Sequence, residues 1–324
     1  MTFAFENATI IGTGLIGASL SLALRAAGFT GTIAAADTNP AALEEAEALG
    51  LFDRYHTDPA DAVAGAEIVI LAIPVGAMGA AAATIGPALA EGAIVTDTGS
   101  VKGAVIAAME GLPRHARFVP AHPIAGSENS GPSAGFPGLF ANRWCILTPT
   151  HKTNPAALRV VADMWRAFGS NVEVMDIAHH DRVLALTSHL PHLIAYNIVR
   201  TASDLEEVTD AEVIKFSAGG FRDFTRLAAS DPTMWRDVFL NNKEAVLETL
   251  GRFSEDLALL QRAIRWSDGD LLYDVFTRTR DIRRRVIDAG QDTAVPNFGR
   301  PAETGEEPEP SASPDTREPN RSVR

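Results

Sequence analysis

The stretch Ala8–Asp37, ATIIGTGLIGASLSLALRAAGFTGTIAAAD, decides the fold. Ala8–Ile11 is a short apolar run rich in β-branched residues, and it feeds directly into Gly12-Thr13-Gly14-Leu15-Ile16-Gly17. A helical pattern of apolar residues follows and stops at Gly28; a second short strand, Thr32–Ala36, then ends in Asp37. Strand, glycine turn, helix, strand and acid, in that order, form the dinucleotide-binding fingerprint. Gly12 permits the tight turn, Gly14 lets backbone N–H groups approach a pyrophosphate, and Gly17 lets the helix pack on the strand. The amides of Leu15 and Ile16 open the helix, where the partial positive charge of its N-terminus suits phosphate. Asp37 falls twenty residues beyond Gly17, where a carboxylate bonds ribose hydroxyls and repels a 2′-phosphate. NAD is the expected cofactor.

Outward from this stretch, 324 residues suit two domains, and 46% hydrophobic with 21% charged residues is ordinary for a globular protein. The formal charge of −13 argues against broad attraction to nucleic acid or an anionic membrane. A single cysteine excludes a disulfide framework within the chain and any paired-cysteine metal knuckle, so no metal site is expected. A cytoplasmic location is expected, since neither a secretory leader nor a run of apolar residues long enough to span a bilayer is present.

Asn39-Pro40 reads as a cap and first turn for a helix over 41–49. Strands are expected over 67–74, 93–97 and 117–122, with helices between, one of them over 77–90. This alternation predicts a Rossmann-type doubly wound, mainly parallel sheet. Its ligands should sit beyond the carboxyl ends of the strands, which aligns Gly12–Gly17, Pro74, Thr98–Ser100 and His122 along one rim. Two more short strands, over 143–148 and 172–176, flank a helix over 155–168. From 177 the texture becomes helical throughout. The longest helix starts at Asp231-Pro232 and carries an apolar stripe through Trp235, Phe239, Val246, Leu250, Phe253 and Leu257 toward Ile264, long enough for a helical dimer interface. Domains are therefore expected at 1–176 (dinucleotide-binding) and 177–297 (helical). A polar Pro/Glu-rich tail, 298–324, cannot offset its ordering entropy and is expected to be disordered.

Three constellations could carry chemistry. Ser100 and His122 form a rim pair in which an imidazole accepts a proton and a hydroxyl orients it. In SHLPH, His189 and His192 share one helix face, and Pro191 removes a backbone N–H and kinks the helix near Thr187. In GGFRDFTRLAASDPTMW, Arg222 and Arg226 are candidates to bind a carboxylate.

The ordered set GTGLIG, DTGSVK, HPIAGSE, SHLPH and GGFRDFTRLAASDPTMWRDVFLNNK resembles the prephenate and arogenate dehydrogenase family of tyrosine biosynthesis, from Ala8 to about Ala289. The resemblance implies NAD-dependent oxidative decarboxylation by a homodimer whose partner is otherwise only its small-molecule substrate. His122 would be the catalytic histidine and Ser100 its orienting partner. Arg226 would hold a substrate carboxylate; His189, His192, Trp235, Glu128 and Gly220 would line the pocket, with His192 the better match for direct contact. The turn residues Gly12, Gly14, Leu15, Ile16 and Gly17, with Asp37, Pro74 and Thr98, would hold the cofactor. A β-hydroxyacid dehydrogenase of similar architecture would use a lysine in the helical half, Lys215 or Lys243, but neither sits in a matching motif. A catalytically silent NAD-binding regulator is the reading of a different class; the complete Ser100, His122 and Arg226 set argues against it.

Overall fold

The computed structural model describes residues 3–206 and 218–288. The tail, the far end of the helical segment and Lys215 lie outside them. Six strands form one parallel sheet: β1 (Asn7–Ile11), β2 (Thr32–Ala36), β3 (Arg54–His56), β4 (Ile68–Leu71), β5 (Ile94–Asp97) and β6 (Arg117–Val119). Their order is β3-β2-β1-β4-β5-β6, the doubly wound arrangement, with its switch point between β1 and β4. Helices α1 (Leu15–Ala26), α2 (Pro40–Ala48), the single turn α3 (Pro59–Ala62), α4 (Met78–Ile85) and α5 (Lys102–Ala108) make the crossovers. Asn39 caps α2 by accepting from the Ala41 amide, as its sequence predicts.

The central strands read as continuous apolar runs because both sheet faces are covered. Alternate residues go to opposite layers. Ile10, Ile68 and Ile70 join Leu20, Leu24, Phe140 and Trp165 on one side. Ile11, Val69, Leu71 and Val95 join Met78, Ile85 and Val105 on the other. Two of the glycines in the turn are required by close approach. A Cβ on Gly12, whose φ is +98°, would lie 2.3 Å from the Ala72 carbonyl oxygen, and one on Gly17 would lie 1.8 Å from that of Gly12.

Two expectations for this half need correction. The strand β3 was not anticipated: Arg-Tyr-His has no apolar periodicity, and it forms because β2 offers an open edge. The segment 117–122 is not one strand. Pro120 has no N–H for the ladder, and the chain changes sheets there. β6 ends the large sheet, whereas β7 (Ala121–Pro123) pairs antiparallel with β8 (Trp144–Leu147), which runs parallel to β9 (Asn171–Val174). α6 (Pro155–Ala167) connects β8 to β9 and buries Val161 and Trp165.

After β9 the described chain is helical: α7 (Ile177–Leu184), α8 (Leu190–Glu206), α9 (Gly219–Thr225), α10 (Pro232–Asn241), α11 (Lys243–Arg265) and α12 (Gly269–Asp288). A π-type turn, Ala185–His189, joins α7 to α8 just ahead of Pro191, where the missing N–H was expected to distort the helix. The long helix expected from Pro232 is instead two helices. Asn242 breaks it, its buried side chain turned to donate to the Asp181 carbonyl at 2.8 Å. The apolar stripe is divided accordingly. Trp235, Val238 and Val246 are buried, whereas Leu257 and Ile264 are exposed. α10 seats the helical half on the nucleotide half, with Trp235 and Val238 packed into the layer that holds Leu71, Val75 and Met78. Among the described residues no helix is long and apolar enough to cross a membrane.

Candidate active site at the carboxyl rim

The glycine turn fits a dinucleotide. Where Gly12 and Gly17 are walled in, a Cβ on Gly14 would meet nothing within 4 Å among the described residues. Gly14 caps α1 without a side-chain hydrogen bond, so the first amides of that helix keep their donors free of any capping side chain. Asp37 stands at the end of β2. Its Oδ2 accepts from the Thr13 amide (2.8 Å) and hydroxyl (2.9 Å), and its Oδ1 accepts from the Asn39 amide (2.9 Å). A carboxylate has about four acceptor positions, so one remains for a ribose hydroxyl. Pro74 and Thr98 follow β4 and β5 on the same rim; Pro74 is exposed and Thr98 donates its amide to the Leu71 carbonyl.

His122 sits in the middle of β7, buried to 7% exposure, because the strand switch at Pro120 carries the chain across the rim. The peptide before it is clamped from both sides. Asp97, at the end of β5, accepts the Ala121 amide at 3.1 Å, and Lys102, opening α5, donates to the Ala121 carbonyl at 2.6 Å. Asp97 and Lys102 also pair with each other, and both side chains are fully buried. Burial lowers the Lys102 pKa, against the pull of Asp97. A buried pair of this kind adds little net stability, but losing one partner strands the other charge. Its structural effect here is to fix the backbone that carries His122. Sequence reading quoted both residues inside DTGSVK without assigning them a role; a lysine five positions after a strand-end aspartate was the available signal.

The His122 side chain is held by a second group. Its Nδ1 lies 2.9 Å from Nε2 of His180, and Nδ1 of His180 lies 2.8 Å from Asp181 Oδ1. The hydrogen-bond partner of the His122 ring is thus His180 on α7, while Ser100 stands on the rim loop, half-buried. Asp181 in turn accepts the Lys102 and Gly103 amides at 2.8 and 2.9 Å, capping α5 from a distant part of the chain. Burial first, then the neighbouring His180, Lys102 and His189, drives the His122 pKa well below its ordinary value near 6.5. The imidazole is neutral at physiological pH. His180 and Asp181 escaped the sequence reading because their partner in the His122 bond lies 58 residues away.

The SHLPH histidines separate. His189, in the π turn, is fully buried and accepts at Nδ1 from Asn242 at 3.1 Å; burial brings its pKa down to about 4. Its Nε2 and the indole nitrogen of Trp235 are both buried without a hydrogen-bond partner among the described residues. His192 is half-buried and stacked on Trp235, ring centroids 3.6 Å apart, with Nδ1 donating to the Ser188 carbonyl at 2.8 Å. Burial lowers its pKa, and the Arg226 charge adds to that lowering, which puts the two side chains in one neighbourhood.

Arg226 opens a short turn after α9 and donates to Glu128 Oε2 at 2.8 Å, across 98 residues of chain. Their side chains are 39% and 32% exposed, so the pair faces solvent enough to exchange partners. Arg222 points elsewhere, exposed and 3.7 Å from Asp223. Gly220 is exposed in the first turn of α9, where an added Cβ would meet nothing within 4 Å among the described residues. Lys243 is exposed at the start of α11. Cys145 is buried beside Pro123 in β8, and burial pushes its thiol pKa far up, so it is chemically inert.

This geometry combines a dinucleotide turn, a neutral buried imidazole and an exchangeable arginine. Comparison with known proteins agrees with it. Residues 20–174 match the family model "prephenate dehydrogenase, nucleotide-binding domain", and residues 176–278 match "prephenate dehydrogenase, dimerization domain". The chain is 44% identical over 280 residues to the cyclohexadienyl dehydrogenase of Zymomonas mobilis, covering 86% of this chain and 95% of that protein. It is 31% identical over 295 residues to the prephenate dehydrogenase of Bacillus subtilis, covering 90% and 79% respectively. The crystal structure of prephenate dehydrogenase from A. aeolicus in complex with hydroxyphenyl propionate and NAD+ superposes with a TM-score of 0.82 at 36% identity, covering 88% of this chain and all of that one.

Proposed function

The chain belongs to the prephenate dehydrogenase family, and from that premise we propose that it catalyses NAD-dependent oxidative decarboxylation of prephenate, arogenate or both, in tyrosine biosynthesis. The observation that carries this reading is His122, a neutral imidazole held rigidly on the rim that bears the glycine turn. NAD, when bound, supplies the acceptor for the hydride that leaves the ring carbon bearing the hydroxyl. As that hydride departs, the carbon–oxygen bond becomes a carbonyl and the hydroxyl hydrogen becomes strongly acidic. His122 accepts it. Carbon dioxide leaves from the opposite ring carbon, the electron pair of the broken bond completes the aromatic ring, and the proton returns to what is now a phenol oxygen. Aromatisation supplies the driving force, so the residues chiefly orient the ring and hold one proton.

Arg226 binds a substrate carboxylate, taking it in exchange for Glu128. Its proximity to His192, and the stacking of His192 on Trp235, support His192 rather than the sealed His189 as the histidine that touches substrate. Ser100 and Gly220 complete the pocket in this reading. Asp37, Pro74, Thr98 and the turn from Gly12 to Gly17 hold the cofactor, and the division between the two halves falls at 176. Steady-state assays with prephenate and arogenate, each against NAD and NADP, test the proposal. NADH formation with at least one substrate is expected; no turnover with either would return the chain to the silent-regulator reading.

In this reading the enzyme works in the cytoplasm as a homodimer. The exposed apolar residues Leu257, Ile264, Trp266, Tyr273 and Phe276 on α11, α12 and the turn between them supply an uncovered face of the kind that subunit contacts bury. Light scattering at micromolar concentration is expected to give twice the chain mass, and a monomer mass would refute the assembly.

A further inference from the structure

His180 and Asp181 take no part in binding or hydride transfer as described, yet they form a hydrogen-bonded chain that ends on His122. We propose that they are positioning residues: Asp181 sets the tautomer of His180, and His180 sets that of His122, so that Nε2 of His122 is the nitrogen that accepts the substrate proton. The proposal rests on the reading of His122 as the proton acceptor.

The direction of each bond follows from the far end. Asp181 meets three donors, the Lys102 amide, the Gly103 amide and His180. Burial alone would raise its pKa, but the hydrogen bonds from His180, Gly103 and Lys102 outweigh it and hold the carboxyl below its usual range. An ionised carboxylate only accepts, so the hydrogen at that contact belongs to Nδ1 of His180. His180 is fully buried, and an imidazole that carries its one hydrogen on Nδ1 presents a bare lone pair at Nε2. That lone pair faces His122 Nδ1 at 2.9 Å, so the hydrogen between them belongs to His122. Nε2 of His122 is left as the acceptor. The opposite tautomer would set two lone pairs against each other at that distance, inside a site where neither could turn to water.

The charged and titratable groups around His122 are Asp97 from β5, Lys102 from α5, Cys145 from the paired strand β8, His180 and Asp181 from α7, and His189 from the π turn. Asp97 is already paired with Lys102, so Asp181 is the anion available to the relay. When Nε2 of His122 takes the hydroxyl proton, one O–H bond breaks, one N–H bond forms and the oxygen keeps its electron pair. The positive charge that appears on His122 is then stabilised through His180 by Asp181, and no other reactant is required.

The first test reads the tautomer directly. The full-length wild-type protein, labelled with nitrogen-15 at histidine, is examined by NMR at pH 7.5, with His122 assigned by its absence in His122→Asn. Hydrogen on Nδ1 is expected, and hydrogen on Nε2 would overturn the proposal. The second test compares His180→Gln with His180→Leu. The glutamine Oε1 can still accept from His122 Nδ1, whereas leucine cannot. Leucine is expected to lower kcat toward the loss of general-base assistance, about 10²-fold or more, with the KM values nearly unchanged, and glutamine to recover most of it. Equal losses in the two variants, or none in leucine, would reduce His180 to packing. Full turnover in His122→Asn would instead defeat the underlying reading, an outcome the wild-type spectrum does not depend on.

Discussion

Replacing His122 by asparagine isolates the proton-accepting step from binding. The asparagine amide reaches the position of the imidazole Nδ1, so its N–H can keep the 2.9 Å contact to His180, and the clamp of Asp97 and Lys102 on Ala121 is untouched. The fold, NAD affinity and substrate KM should therefore be nearly those of wild type. What disappears is Nε2 and the one basic lone pair it offers. General-base assistance is worth about 10²–10⁴ in rate, or roughly 2.7–5.5 kcal/mol of barrier, and kcat should fall by that factor. The depressed pKa of His122 does not weaken the argument, because the hydroxyl on a carbon losing hydride is a far stronger acid than an imidazolium. It does relocate the pH dependence. The acidic limb of the kcat profile should lie well below pH 6.5, since burial holds the ring neutral there, and it should vanish in the variant. Stopped-flow and steady-state NADH formation between pH 5 and 9 measure both quantities. A variant that keeps kcat and the acidic limb would show that His122 is only a strand residue and would move the search for the base to His192.

Arg226→Ala should raise the substrate KM by roughly ten- to a hundredfold, the worth of about 1.5–3 kcal/mol for a charged hydrogen bond; an unchanged KM would transfer the role elsewhere. NAD should be preferred, and Asp37→Ser with Thr38→Arg should shift the preference toward NADP. Because Asp37 also holds Thr13, NAD efficiency should drop further than NADP efficiency rises, and equal efficiency with both cofactors in the wild type would show that Asp37 does not face the ribose. Folding should weaken in mild acid. His122, His189 and His192 all have pKa values lowered on folding, that of His189 to about 4, so the unfolded chain binds protons first. Stability is then complete above pH 6.5 and is lost as pH falls below it, by about 1.4 kcal/mol per pH unit for His189 down to its folded value. Urea titrations at fixed protein concentration that give a flat stability between pH 6.5 and 4 would contradict this.

The nucleotide half was legible in the sequence because its determinants are local. A turn that demands glycine at Gly12 and Gly17, an acid at a fixed spacing and strands buried on both faces each leave a pattern within a few tens of residues. The Asn39-Pro40 cap and the distortion ahead of Pro191 were readable for the same reason. The site was legible only as separate pieces: His122, Arg226 and SHLPH could be named, but not joined. What joins them is decided by tertiary structure. Pro120 moves the chain from one sheet to another and so turns His122 inward; Asp181 caps α5 from α7; Asn242 breaks a helix whose sequence pattern runs on, because its amide is needed at Asp181 and His189. The last two are hydrogen bonds between residues dozens of positions apart, competing with local propensity and prevailing because the groups are buried and must be paired. Sequence periodicity records which face of an element is apolar. It carries no record of which distant polar group a buried side chain will meet, and in this protein that pairing is what makes His122 a neutral, oriented imidazole.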